Sequence, residues 1–83
     1  MKEKDVLNKI VEILKKNDYV TDDQEISKET SLVEDLSMDS LDSVEMIMTL
    51  ENEFKVSIDD ADAEKVVTVG DTMALVVDKL KFQ

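Results

Sequence analysis

Apolar residues recur at helical spacing in three stretches of the chain. In the first, from about Lys4 to Lys16, Val6, Leu7, Ile10, Val11, Ile13 and Leu14 fall on one side of a 3.6-residue repeat. Lys15 and Lys16 close this stretch, where cations suit the negative end of a helix dipole. The second stretch runs from about Ser40 to Phe54, with Asp39 placed to cap it and Asp42 in its first turn. The third begins near Thr68, where Thr68-Val69-Gly70-Asp71 has the form of a capping box, and continues through Met73, Val76, Val77 and Leu80. A short helix is expected near Asp59 to Glu64, after a Ser57-Ile58 connector. The polar connection from Asn17 to about Asp39 is long, but Tyr19, Val20, Ile26, Leu32, Val33 and Leu36 along it predict a segment packed on the helices. Val66 to Val69 has β-propensity, yet a lone strand would have nothing to pair with. The pattern predicts one all-α domain over residues 1–83: a small four-helix bundle with a long first loop and a short third helix.

The second helix carries two apolar stripes. On a helical wheel with Ser40 at zero, Met46, Ile47, Leu50 and Phe54 fall between roughly 240° and 340°. Leu41, Val44 and Met48 fall between roughly 40° and 100°, flanked by Glu51 at about 20° and Glu45 at about 140°. One stripe is enough to join a small bundle. The second is either covered by the first or last helix, or exposed as a strip for a partner with an apolar groove and a basic rim.

Composition narrows the chemistry. The chain has no Cys and no His, which removes disulfides, thiol nucleophiles, zinc sites built on those ligands and imidazole triads. Its single Gly, Gly70, cannot form a glycine-rich phosphate loop. The protein is therefore expected to serve other enzymes' chemistry rather than catalyse its own. Asp59-Asp60-Ala61-Asp62-Ala63-Glu64 suggests a calcium loop, but an EF-hand needs Gly at its sixth position and Glu at its twelfth. Counted from Asp59 those positions hold Glu64 and Gly70, so no dedicated metal site is expected. No apolar run reaches membrane-spanning length, and Met1-Lys2-Glu3-Lys4-Asp5 lacks the apolar core of a secretory signal. A cytoplasmic monomer is expected, or an organelle form whose targeting peptide has been removed.

The net charge is −11, from 21 acidic residues against 10 lysines. Such a field repels nucleic acid and anionic membranes and attracts basic protein surfaces. Between Glu29 and Phe54 there is no basic residue, while Glu29, Glu34, Asp35, Asp39, Asp42, Glu45, Glu51 and Glu53 all lie there. This run is either a solvated face or a docking surface for cationic partners.

Ser40, alone, is an ordinary serine at a helix start, and no His or nearby Lys could activate it as a hydrolase nucleophile. A phosphodiester on its hydroxyl would, however, sit by unpaired backbone N–H groups at the positive end of the helix dipole. The run Glu34-Asp35-Leu36-Ser37-Met38-Asp39-Ser40-Leu41-Asp42-Ser43-Val44-Glu45 closely resembles the phosphopantetheine attachment motif of bacterial-type acyl carrier proteins of fatty-acid synthesis. The resemblance extends to Thr30-Ser31-Leu32-Val33, Leu50-Glu51-Asn52-Glu53-Phe54 and Ala63-Glu64-Lys65-Val66-Val67-Thr68-Val69.

That resemblance implies a 4′-phosphopantetheine group on Ser40, delivered from coenzyme A by a holo-acyl-carrier-protein synthase that recognises Asp39 and Asp42. It implies a partner-facing strip of Leu41, Val44, Glu45, Met48 and Glu51, and an acyl-chain pocket lined by Leu32, Val33, Met46, Leu50, Ile58, Ala63 and Val66. Met46 suits a pocket that must adapt its shape. The implied partners are ketoacyl synthases, reductases, a dehydratase and acyltransferases. It also hints at weak divalent-cation binding around Glu34, Asp39 and Asp42. Two positions depart from the family: Ser37 and Asp59 stand where Gly and Pro are usual. These leave open a housekeeping or a specialised carrier, and a polyketide, nonribosomal-peptide or D-alanyl carrier is the nearest alternative. An unmodified acidic interaction or cation-binding module is the alternative of a different class. Because the carboxylates between Glu29 and Glu64 crowd around a single Lys55, moderate salt or millimolar Mg²⁺ should raise the melting temperature. A melting curve unchanged by salt would show that their repulsion has no thermodynamic weight.

Overall fold

A computed structural model describes residues 2–21 and 23–81. The helices are α1 (Glu3–Lys16), α2 (Ser40–Phe54), α3 (Asp60–Ala63) and α4 (Val69–Lys81). The short third helix predicted at Asp59–Glu64 is thus shorter by a residue at each end. In α1 the buried positions are Val6, Ile10, Ile13 and Leu14, and in α4 they are Val69, Thr72, Met73 and Val76. Each set follows the i, i+3/i+4, i+7 rule of a one-faced helix. These two faces meet in the most extensive helix contact, with α2 packed against both. Thr72 is the one buried polar side chain among the described residues, and its hydroxyl donates back to the Thr68 carbonyl at 3.2 Å.

The long connection is packed, as its apolar spacing predicts. Val20, Leu32 and Leu36 are buried in it, Tyr19 and Ile26 are half-buried, and Met38, which the apolar pattern did not single out, is 2% exposed. Val33 is the exception at 61% exposure. The reason is local: residues 31–36 form a turn in which the Asp35 and Leu36 N–H groups both donate to the Ser31 carbonyl. Leu32 and Leu36, four apart, then share the inward side and Val33 faces outward.

The β-propensity before α4 does find a partner. Ser31 and Thr68 form an isolated antiparallel bridge, with Leu32 N–H donating to the Val67 carbonyl (3.0 Å) and Val69 N–H to the Thr30 carbonyl (2.9 Å). At the next residue Gly70 N–H donates to the Lys28 carbonyl at 2.8 Å. The capping box is present here as well. The Thr68 hydroxyl accepts from Asp71 N–H at 3.1 Å, and the Asp71 carboxylate accepts from the N–H groups of Thr68 and Val67, each at 3.0 Å. Those donors, Thr68 first, hold the Asp71 carboxyl below its usual range.

The same crossing explains the single glycine. A Cβ at Gly70 would lie 2.8 Å from the Lys28 carbonyl oxygen, a backbone atom that cannot swing away. Alanine is the better helix former by about 1 kcal/mol, so propensity alone favours Gly70→Ala. Close packing should reverse that sign, and Gly70→Ala is expected to cost roughly 1–3 kcal/mol in chemical denaturation. A variant as stable as the parent would show that the Lys28 segment is free to retreat.

Candidate functional site

The site is organised by the start of α2. Asp39, in extended conformation, caps the helix: its carboxylate accepts from Asp42 N–H at 2.9 Å, and the Asp42 carboxylate accepts from Asp39 N–H at 3.1 Å. The reciprocal pair satisfies two donors and fixes the direction in which the chain enters the helix. Ser40 is the first helical residue and is exposed. Just upstream, Ser37 sits in the left-handed region at φ 56°, and Met38 N–H donates to the Leu32 carbonyl at 3.0 Å, its side chain anchored in the core. A buried Met38 behind it and a capping box around it hold Ser40 on a rigid corner.

Beside that corner lies an open cleft of about 710 Å³ between α2, α3 and the turn at Leu32. Small-molecule sites span about 300–1,000 Å³. Its walls are apolar, from Leu32, Val33, Val44, Met46, Ile47, Ala63 and Val66, while Asp39, Ser40, Ser43, Asp60 and Glu64 supply its polar atoms. Of the pocket residues expected from the sequence, Leu32, Val33, Met46, Ala63 and Val66 come together here. Leu50 and Ile58 do not line it. The cleft covers the Ser40–Ile47 half of α2, whereas Leu50, one turn further on, is wholly buried in the core, and Ile58 is buried in the connector before α3. Ser43, Ile47, Asp60 and Glu64 line it without having been expected to, and Val44, expected on the partner strip, borders it as well. Ser43 carries a signal in the wheel: at about 300° it is the one small polar residue amid the core stripe, so it fills little of the space there. The α3 side of the cleft is pinned from behind, where Lys79 of α4 meets Asp62 at 2.9 Å. This contact lowers the Asp62 carboxyl and raises the Lys79 ammonium from their usual values.

The two stripes of α2 separate in space. Met46, Ile47, Leu50 and Phe54 are buried, while Leu41, Val44 and Met48 are 65%, 55% and 58% exposed. Neither α1 nor α4 covers the second stripe. Glu45 is exposed at its edge. Glu51 is half-buried, and one of its carboxylate oxygens accepts from Ile58 N–H at 3.2 Å, so it also holds the α2–α3 connector in place. Among the described residues no cluster of acidic side chains is arranged to hold a metal ion, Glu34, Asp39 and Asp42 included. No described helix is long and apolar enough to cross a membrane.

A family model described as a phosphopantetheine attachment site matches residues 5–76. An acyl carrier protein of Thermotoga maritima is 46% identical over 59 residues, covering 71% of this chain and 73% of its own. The chain belongs to the acyl carrier proteins. A crystal structure of an acyl carrier protein from the same organism superposes with a TM-score of 0.85 at 30% identity, covering 99% of this chain and 94% of that one. A candidate acyl carrier protein from Mycobacterium tuberculosis gives 0.79 at 32% identity, covering 88% and 96%. This is a carrier protein, and phosphopantetheine is its cofactor. The residues present fit that group: an exposed hydroxyl on a fixed helix start, at the mouth of an apolar cleft.

Ser37 shows what the departure from glycine costs. A non-glycine residue in the left-handed region is disfavoured by about 1–2 kcal/mol, against roughly 0.5–1 kcal/mol of extra chain entropy that glycine loses on folding. Ser37→Gly is therefore expected to stabilise the protein by about 0.5–1 kcal/mol, read as a rise of a few degrees in melting temperature. A fall would mean that the serine side chain supplies a compensating contact.

Proposed function

We propose that this carrier protein acts in fatty-acid synthesis, with its phosphopantetheine arm attached at Ser40 and its cargo held as a thioester. The observation that carries this is a juxtaposition: one exposed serine borders both an apolar cleft and an exposed apolar strip rimmed with carboxylates. The arm supplies a terminal thiol on a long flexible tether. This chain's own residues present the arm, shelter its cargo and receive its partners.

Attachment makes a bond between the Ser40 Oγ and the phosphorus of the phosphopantetheine half of coenzyme A. The pyrophosphate P–O bond breaks and the nucleotide half leaves. The hydroxyl proton goes to a base on the transferase, because this chain offers no imidazole and its nearest carboxylates are engaged in the capping box. Ser40 is thus a substrate residue of another enzyme, and the carrier itself catalyses nothing. Asp39 and Asp42 keep outward-facing negative charge beside it, suited to a basic transferase surface such as that of a holo-acyl-carrier-protein synthase.

Two surfaces then divide the work. The cleft beside Ser40 takes the acyl chain out of water, where each buried methylene gains about 0.8 kcal/mol. A short polar cargo such as D-alanine has no use for such walls, which favours fatty acyl chains. The strip of Leu41, Val44 and Met48, with Glu45 and Glu51 along its sides, receives the pathway's enzymes: apolar contact at the centre and cationic side chains at the rim. An enzyme docked there has the root of the arm at the edge of its contact. The setting expected for this work is the cytoplasm, with the carrier as a monomer.

Incubation with coenzyme A and a phosphopantetheinyl transferase should shift the intact mass by one phosphopantetheine arm. Ser40→Ala should melt like the parent and take up no label. Label that persists in Ser40→Ala, or maps to another residue, would overturn the assignment.

A further inference from the structure

We propose that Tyr19 is a positioning residue for partner recognition: its hydroxyl fixes the Glu45 carboxylate on the rim of the strip, where a partner's cationic side chain is received. The inference rests on the strip being the partner surface. It concerns a residue far from the attachment motif in sequence.

Tyr19 follows a turn that aims it. Asp18 adopts the left-handed conformation at φ 63°, and Tyr19 N–H donates to the Leu14 carbonyl at 3.0 Å. The next side chain, Val20, is buried in the core, which fixes the segment to the bundle. Tyr19 itself is half-buried, with its hydroxyl reaching α2 at 3.2 Å from Glu45 Oε2 and 3.4 Å from the Asp42 carbonyl oxygen. A phenol has one hydrogen to donate. The shorter distance and the charge of the acceptor favour Glu45.

Without this contact, Glu45 would be a free glutamate on an exposed helix face, sampling several rotamers. A partner's lysine or arginine would have to order it on binding. The phenol does that ordering in advance, and it uses only one of about four acceptor positions on the carboxylate. Glu45 is exposed, which leaves the remaining positions for the partner. Burial, followed by the hydrogen bond and charge of Glu45, raises the Tyr19 hydroxyl above its usual pKa, so it stays a donor across the neutral range. Ordering one rotamer-rich side chain in advance corresponds to about a two- to tenfold gain in affinity.

The test is a double-mutant cycle on the full chain, with binding kinetics measured against a phosphopantetheinyl transferase. Tyr19→Phe keeps the ring and removes only the hydroxyl. It should bind about two- to tenfold more weakly than the parent, and in a Glu45→Gln background the same change should have no further effect. Melts of all four proteins establish that each is folded at the assay temperature. The proposal fails if Tyr19→Phe binds like the parent while Glu45→Gln is weakened, or if Tyr19→Phe costs the same in both backgrounds. If Glu45→Gln alone binds like the parent, the strip is not the partner surface, and the role of Tyr19 falls with it.

Discussion

The reciprocal hydrogen bonds between Asp39 and Asp42 are the constraint from which the site follows. They start α2 at one residue and in one direction, and a helix once started fixes the azimuth of every side chain along it. With Ser40 at the first position, Met46 and Leu50 must turn inward and Val44 and Met48 must turn outward. Ser43 and Ile47 fall along the cleft by the same rotation. A start displaced by one residue would rotate all of these by about 100° relative to the bundle. Two short hydrogen bonds on the surface therefore decide which serine is presented, what it borders and what it faces away from.

The same surface is costly to keep. Eight carboxylates lie between Glu29 and Glu53 without a lysine among them, and three apolar side chains on α2 stay in water. Neither feature helps a small bundle fold. The compensation lies in the core, where the apolar faces of α1 and α4 meet and Val6, Ile10, Leu14, Val69 and Val76 are fully buried. The Ser31–Thr68 bridge ties the long connection to the base of α4, and Tyr19 ties its beginning to α2. The connection is thus a structural element in its own right. It sets one wall of the cleft through Leu32 and one edge of the strip through Tyr19.

Much of this is legible in the sequence, for identifiable reasons. The helices show because their core positions recur at 3.6-residue spacing, and the capping box at Thr68 and the cap at Asp39 show because they are local patterns; the return bond from Asp39 N–H to the Asp42 carboxylate was not expected. The exposed strip shows because a helix in a small bundle needs only one apolar face. Most of what the sequence conceals is non-local, the local turn that exposes Val33 being the exception. Nothing at Val66–Val69 indicates that Thr30–Leu32 will lie alongside it, and nothing at Gly70 names the Lys28 carbonyl that excludes a side chain. Val33 looks like an anchor until the turn at Ser31 points Leu32 and Leu36 inward together. Tyr19 looks like one more apolar anchor, because its hydroxyl's acceptor lies 26 positions away. Leu50 and Ile58, taken as pocket residues by resemblance, lie in the core because the cleft ends a turn short of them.

The central claim is that α2 has a core face and a working face, and that the second contributes to binding and not to folding. Thermal melts and binding kinetics of Met48→Ala and Leu50→Ala, measured against a ketoacyl synthase, test it most directly. Leu50→Ala should lose roughly 2–5 kcal/mol of stability, as a large side chain removed from a closed core. Met48→Ala should melt like the parent and dissociate faster from the enzyme, because it removes apolar contact at the interface. If Met48→Ala destabilises the fold as much as Leu50→Ala and leaves binding intact, the strip is part of the core and the account is wrong.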